Sequence, residues 1–194
     1  MSELDLTPQH FRRLMGLFAT GVTVLAVEAP EGIHGMTANA VTSVSLEPLL
    51  VLVCIDRRAR MHRHVALGRP YTINILREDQ ESVSRYFAGS WRAPQPPEFR
   101  FRRWTHGPLL VGALGTVGCV MDRLVDGGDH TIVLSRVTGL YAGEPGRPLT
   151  FFGGRYRRLR DEEEAARPPA DEWTHESVRL YHDAAPWEEA ADEA

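Results

Sequence analysis

The 194 residues suffice for one domain with an extended terminus, and 43% hydrophobic with 25% charged residues is ordinary for a globular protein. No run of about 18 uncharged apolar residues signals a membrane span, and the opening residues lack the apolar core of a signal peptide, so a cytoplasmic location is expected. The net charge of -4 is unevenly spread: residues 161–194 hold twelve acids and two arginines, which leaves a mildly basic body. All basic residues are arginine, yet no basic run interleaved with aromatics occurs, so no nucleic-acid partner is expected.

Residues 7–17 predict a short amphipathic helix. Thr7 can cap it, Pro8 suits its first position, and Phe11, Leu14, Met15 and Phe18 recur at helical spacing. GVTVLAVEA is rich in valine and threonine and predicts a strand. The PEG turn follows, then IHGMTANAVTSVSL with hydroxyls on one side, broken at Glu47 and Pro48. LLVLVCI is a continuous apolar run of strand length, expected to be covered on both faces. RRARMHRHVALG predicts a basic helix, PYTINIL a strand, and EDQESVSRYFAG a second short helix. Residues 90–108 are irregular. Their Trp91, Phe99, Phe101 and Trp104 look exposed, as in a surface loop, a lid or a dimer contact. LLVGALGTVGCVMDRLVDG predicts a strand pair or one long bent strand, HTIVLSRVTGLYA a strong strand, and RPLTFFGGRYRRL a closing strand with a turn.

Strands dominate, helices are short, and neither βαβ alternation nor a GxGxxG turn occurs. The expected fold is mainly β, a closed or partly closed antiparallel barrel with short flanking helices, because closure removes exposed edges. Residues 1–160 form that domain. Residues 161–194 form an acidic tail, partly disordered by composition or carrying a docking helix around Glu172 to Tyr181. Cys54 and Cys119 sit in apolar runs and read as reduced packing residues.

Three segments carry chemistry. HGMTANAVTSVS offers small residues and five hydroxyl or amide side chains within a dozen positions, suited to a planar polar heterocycle or to a strand with a polar solvent face. DRRARMHR follows the apolar strand with four arginines, suited to a phosphate or to a solvated helix face. Gly127, Gly128, Asp129 and His130 precede a strand, where the acid can orient the imidazole; a glycine turn with an incidental histidine is the alternative. The other histidines are scattered. His62 and His64 do not share a helix face, so no metal site is expected.

In this order the segments resemble the flavin reductase-like family, with its split-barrel, FMN-binding fold. The likeness runs from FRRLMGLFATGVTVLA through HGMTANAVTSVSLEPLLVLVCIDRRAR, YTINIL, SRYFAG and GGDHTIVLSRV to GGRYRRL. The resemblance implies a homodimer that uses NADH or NADPH to reduce FMN or FAD and releases reduced flavin to a partner monooxygenase. It implies that the flavin ring lies along Thr37, Ala38, Asn39 and Ala40, with Ser43, Val44 and Ser45 near its edge and ribityl chain. Cys54, Asp56, Arg57, Arg58 and Ala59 would follow the ribityl and phosphate. Arg85 and Phe87 would approach the phosphate or ring, and Tyr156 would cover the same side. His130, beside Asp129, would stand near the nicotinamide. Two departures stand out. Ala59 and Met61 replace hydroxyl residues common in the family's phosphate loop, and the acidic tail is not part of the family pattern. The loss of two neutral hydrogen bonds, each worth about 0.5–1.5 kcal/mol, fits a flavin that exchanges. Two alternatives stand beside this reading: a flavoprotein that retains FMN and acts on an organic substrate, and a non-enzymatic flavin- or haem-binding split barrel.

Overall fold

A computed structural model describes residues 3–159. The acidic segment, with its expected disorder or docking helix, lies outside the described residues. The chain order is α1 (Pro8–Met15), β1 (Thr20–Gly21), β2 (Thr23–Ala29), β3 (Gly32–Ala38), β4 (Val41–Leu46), β5 (Leu49–Asp56), α2 (Arg60–Ala66) and β6 (Tyr71–Ile75). A 3-10 turn (Glu78–Gln80) leads into α3 (Glu81–Phe87), followed by β7 (Phe101–Arg102), β8 (Leu109–Leu110), β9 (Gly115–Gly127), β10 (His130–Ala142), β11 (Thr150–Phe152) and β12 (Arg155–Arg157). Thr7 caps α1 as expected, its Oγ1 accepting from the His10 N–H at 3.2 Å.

The main sheet has seven strands in the order β3-β2-β6-β9-β10-β5-β4, every neighbouring pair antiparallel. The IHGMTANAVTSVSL segment is thus two strands rather than one. They are consecutive in the chain yet lie at opposite margins of the sheet. Only Asn39 and Ala40 separate them, and three Cα steps span at most about 11 Å. The sheet must therefore curl until its margins nearly meet. It does not close: β3 and β4 have no ladder between them, the split that the family resemblance implies.

The curled sheet encloses one core of Leu25, Val27, Val53, Ile55, Ile73 and Val133, plugged by Met61 and Val65 of α2. A second core, with Val22, Val24, Leu76, Val83, Leu110 and Leu149, fills the other side of β2 under α3 and the small sheet β1-β11-β12. β2 is the wall between the two, so six of its seven residues are buried. Each fully buried Leu, Ile or Val contributes about 1.5–3 kcal/mol. Buried polar groups are matched. Asn74 donates to the Val24 carbonyl and accepts from the Leu110 N–H and Thr116 Oγ1, all at 2.9–3.0 Å.

Two expectations change. β5 is not covered on both faces: Val51, Val53 and Ile55 are buried, whereas Leu52, Cys54 and Asp56 are only half-buried on the other face. The aromatics of residues 90–108 are not exposed either. Phe99 and Phe101 pack at 5.0 and 6.0 Å from Phe87, and Trp104 packs at 4.7 Å from His106. Paired glycines explain the second contact. A Cβ at Gly118 or Gly139 would come within 2.4 Å of the His106 side chain.

Candidate functional site

The end of β5 meets the start of β10 in register, with Asp56 opposite His130 and Cys54 opposite Ile132. Gly127, Gly128, Asp129 and His130 make the tight turn between β9 and β10. Gly128 has φ +77, a conformation that a Cβ disfavours. The Asp126 carboxylate accepts the Gly128 N–H at 2.9 Å and binds the Arg57 guanidinium at 3.0 Å; these two contacts hold it below the usual carboxylate range. His130 Nδ1 donates to Asp129 Oδ1 at 2.7 Å, since a carboxylate has no proton to give. That hydrogen bond lowers the Asp129 pKa and leaves Nε2 of the neutral ring as the acceptor.

The arginines have partners. Arg58 forks onto Asp56 at 2.8 and 3.1 Å and adds its backbone N–H at 2.8 Å, pushing the Asp56 pKa far down. Arg57 is tied to the same turn through Asp126 and through its N–H to the Asp129 carbonyl at 3.2 Å. The Arg58 guanidinium is largely exposed and that of Arg57 about half exposed, so water and salt screen both pairs and each contributes little. A phosphate oxygen can replace either carboxylate at little cost. Ala59 is half-buried, precedes α2 and packs on the core, while Met61 is wholly buried within it. Position 61 therefore faces the barrel interior, not a ligand at the strand end.

A second group forms at the far end of β3. Thr37 Oγ1 donates to the Ser84 carbonyl at 2.7 Å, and Ser84 Oγ lies 2.9 Å from the Tyr156 hydroxyl. Arg85 stands over the Tyr156 ring at 4.9 Å and pairs with Glu81 at 2.7 Å. Phe87 packs closely on Gly35, where a Cβ would come within 2.4 Å of its ring. Asn39 Nδ2 donates to Thr20 Oγ1 at 3.2 Å.

Residues 37–40 join the two groups. Ala40 accepts the Cys54 N–H at 3.0 Å, which brings the segment to the β5 and β10 end. Ala38 is buried against Thr23, whose hydroxyl donates to its carbonyl at 2.7 Å. On β4 the register shifts between Ser43 and Ser45, so Val44 bulges outward and is half-exposed. Among the described residues no strand pairs with the outer margins of β3 and β4, each of which presents alternating N–H and C=O groups. A flavin ring carries the matching alternation of acceptors and one N–H along its pyrimidine edge, and the small, exposed Ala40 leaves room for a flat approach. The donor set fits the group.

Sequence reasoning missed Ser84, Thr20 and His62, whose Nε2 lies 2.9 Å from Thr131 Oγ1 beside His130. Ser84 carried no signal beyond lying in SRYFAG. The site is a ledge rather than a closed pocket. A cavity of about 130 Å³, bordered by Arg102, Leu110, Tyr141 and Glu144, lies elsewhere and touches none of these residues. Among the described residues no group of three or more His, Cys, Asp or Glu could hold a metal, and no helix is long and apolar enough to cross a membrane.

A curled, open antiparallel sheet whose two free margins meet beside an Asp-His pair defines a split-barrel protein. The flavin reductase like domain matches residues 15–160, and the chain belongs to that family. An NADH-dependent flavin reductase from a Rhodococcus species is 44% identical over 162 residues, covering 81% of this chain and 90% of that protein. The NADH-dependent FAD reductase of Streptomyces globisporus is 39% identical over 155 residues, covering 77% and 85%. The reductase component of 4-hydroxyphenylacetate 3-monooxygenase from Thermus thermophilus is 39% identical over 151 residues, covering 78% and 96%. Among solved structures, the NADH:FAD oxidoreductase of Streptomyces globisporus in complex with NAD and FAD fragments superposes with a TM-score of 0.76 at 33% identity, covering 84% of this chain and all of that one.

Proposed function

We propose that this chain is an NADH-dependent flavin reductase that takes up oxidised FMN or FAD, reduces it, and hands the reduced flavin to a partner monooxygenase. What supports the reading is the juxtaposition of the oriented His130 with the free strand margins at residues 37–46, in a member of this family. A bound flavin supplies the hydride acceptor for reduced nicotinamide; the chain supplies orientation and charge.

Peptide groups of Thr37, Ala38, Asn39 and Ala40 would hold the polar edge of the ring and would favour negative charge there. Ser43, Val44 and Ser45 border the ribityl side across the gap between the margins. Cys54, Asp56 and Ala59 line the path to the phosphate, which Arg57 and Arg58 grip by releasing their carboxylates. Arg85, Phe87 and Tyr156 close the opposite side. His130 presents Nε2 to the nicotinamide carboxamide, with Asp129 fixing the tautomer. It positions rather than abstracts a proton, because hydride transfer needs no base. The open ledge favours exchange of flavin over retention.

The protein works as a homodimer in the cytoplasm, where NADH is available and the free thiols of Cys54 and Cys119 persist. Residues 1–160 form the reductase domain, and residues 161–194 an acidic appendage. The test is NADH and NADPH oxidation by purified protein with FMN, FAD or riboflavin added in turn. Turnover that saturates in free flavin is expected, with NADH preferred. A yellow protein that oxidises neither nicotinamide under any pairing would overturn the reading.

A further inference from the structure

The two arginines proposed to grip the flavin phosphate are already occupied. Arg57 holds Asp126 at 3.0 Å and Arg58 holds Asp56 at 2.8 Å. The two acids come from different strands, Asp56 closing β5 and Asp126 lying next to the end of β9. A second contact anchors each acid independently of the guanidinium. Asp56 Oδ1 accepts the backbone N–H of Arg58 at 2.8 Å, and Asp126 Oδ1 accepts that of Gly128 at 2.9 Å. Either guanidinium can therefore leave without stranding its carboxylate or shifting it. Both acids are held below the usual carboxylate range, Asp56 chiefly by the Arg58 fork and Asp126 chiefly by the Gly128 N–H, so both are anions at neutral pH.

We infer that Asp56 and Asp126 are resident competitors of the flavin phosphate: they occupy Arg58 and Arg57 whenever the phosphate is absent, and so set how readily a phosphorylated flavin is released. An arriving phosphate must displace two anions that stay at the site. A departing one is assisted, because a carboxylate retakes each guanidinium as it comes free. Fixed negative charge beside the bound phosphate adds repulsion in the same direction. Riboflavin carries no phosphate and displaces neither acid. The competitors thus weaken binding of phosphorylated flavins alone and narrow the gap between them and riboflavin.

The inference rests on the reading of Arg57 and Arg58 as phosphate ligands given above, and adds the two residues that oppose them. Weakened retention suits a protein that hands its flavin on. Asparagine separates the two contacts of each acid. Its side-chain oxygen still accepts the Arg58 or Gly128 N–H, so the turn is kept, whereas the charge that holds the guanidinium is gone.

The experiment is equilibrium binding of oxidised FMN and of riboflavin to the full-length chain, read by flavin fluorescence with no nicotinamide present. Asp56→Asn and Asp126→Asn should each lower Kd for FMN several-fold, and the two together roughly tenfold, with Kd for riboflavin held within about twofold. Stopped-flow displacement should place the gain in slower release of FMN. Glu144→Gln removes an acid beyond the other end of β10 and should alter the binding of neither flavin. Weaker FMN binding in the asparagine variants would make the acids organisers of the arginines and overturn the inference, and unchanged FMN binding would overturn it as well. An equal gain for riboflavin, or the same gain in Glu144→Gln, would reduce the effect to net charge and overturn it too. None of these measurements involves turnover. A chain that binds FMN in the expected pattern yet oxidises no nicotinamide would overturn the reductase reading and leave the competitors in place.

Discussion

The two groups of the ledge are built from opposite materials. At the β5 and β10 end, Asp56, Arg57, Arg58, Asp126 and Asp129 form exposed ion pairs around His130. At the far end the contacts are neutral: Thr37 donates to the carbonyl of the wholly buried Ser84, whose hydroxyl pairs with that of Tyr156. Exposed ion pairs are individually weak and easily exchanged. Buried hydrogen bonds are hard to break, because the abandoned group finds no water. One end is thus suited to trading a carboxylate for a phosphate, and the other to keeping its shape while ligands come and go.

The largest effect should come at the charged end, where His130 meets the nicotinamide. His130→Ala should lower kcat/KM for NADH about a hundredfold, the scale of misplaced reactants. Asp129→Asn should cost roughly tenfold through the tautomer alone, with flavin KM nearly unchanged in both. A loss confined to flavin KM would assign His130 to the flavin instead.

The neutral end should respond in stability and binding together. Ser84→Ala and Tyr156→Phe each remove the same part-buried hydrogen bond, about 1 kcal/mol, or roughly 2–4 °C in melting temperature for a domain of this size. Flavin KM should rise several-fold while kcat holds. The double variant should cost little more than either single one, and strict additivity would show that the two hydroxyls act apart.

At the charged end, Arg57→Ala and Arg58→Ala should leave the melting temperature almost unmoved. Each should raise KM for FMN but not for riboflavin, which has no phosphate, and the difference should shrink as salt is added. An equal effect on both flavins would remove the arginines from phosphate binding.

The smallest effect at working pH lies in the barrel interior, which serves as a reference for both ends. Burial pushes the Cys119 thiol up to about 12, and burial also raises the Tyr71 hydroxyl, whose partner is Ser135 at 2.7 Å. A group raised in the fold gives its full stabilisation below its unfolded value and loses it as pH climbs toward the folded one. The melting temperature should therefore be flat to about pH 8.5, the ordinary thiol value, and fall above it. In Cys119→Ala the fall should begin nearer pH 10, where tyrosine ordinarily titrates. An unchanged onset would assign the decline to other groups.

Much of this was legible in the sequence because it is local. LLVLVCI gave β5, and the two glycines before Asp129 and His130 announced the turn whose φ only glycine favours. The ordered motifs pointed to the family and so to the split barrel. What stayed hidden depends on distant partners. Ser84 matters because Tyr156, 72 positions later, comes to its side chain. Met61 sits in a segment resembling a phosphate loop, yet helix phase turns it into the core. The carboxylate partner of Arg57 was illegible too, since Asp126 joins it only through strand pairing. α1 shows the reverse case: its periodicity demanded a covered face, and the rest of the described chain does not cover it.

The strand order also governs how the molecule assembles. Within the seven-stranded sheet three hairpins, β2 with β3, β4 with β5 and β9 with β10, pair neighbours in the chain, whereas β6 with β9 and β5 with β10 are long-range. The first two hairpins are joined at Asn39 and Ala40 but dock on opposite flanks of the third, one of them through β6. The ledge exists only once both have docked, so no partly folded intermediate can hold flavin there. Ligand that binds the native state alone stabilises it by about 2.7 kcal/mol at a hundredfold excess over Kd. Flavin supply thereby becomes a determinant of how long the whole domain survives, and a cell short of flavin would hold a more readily unfolded pool of it.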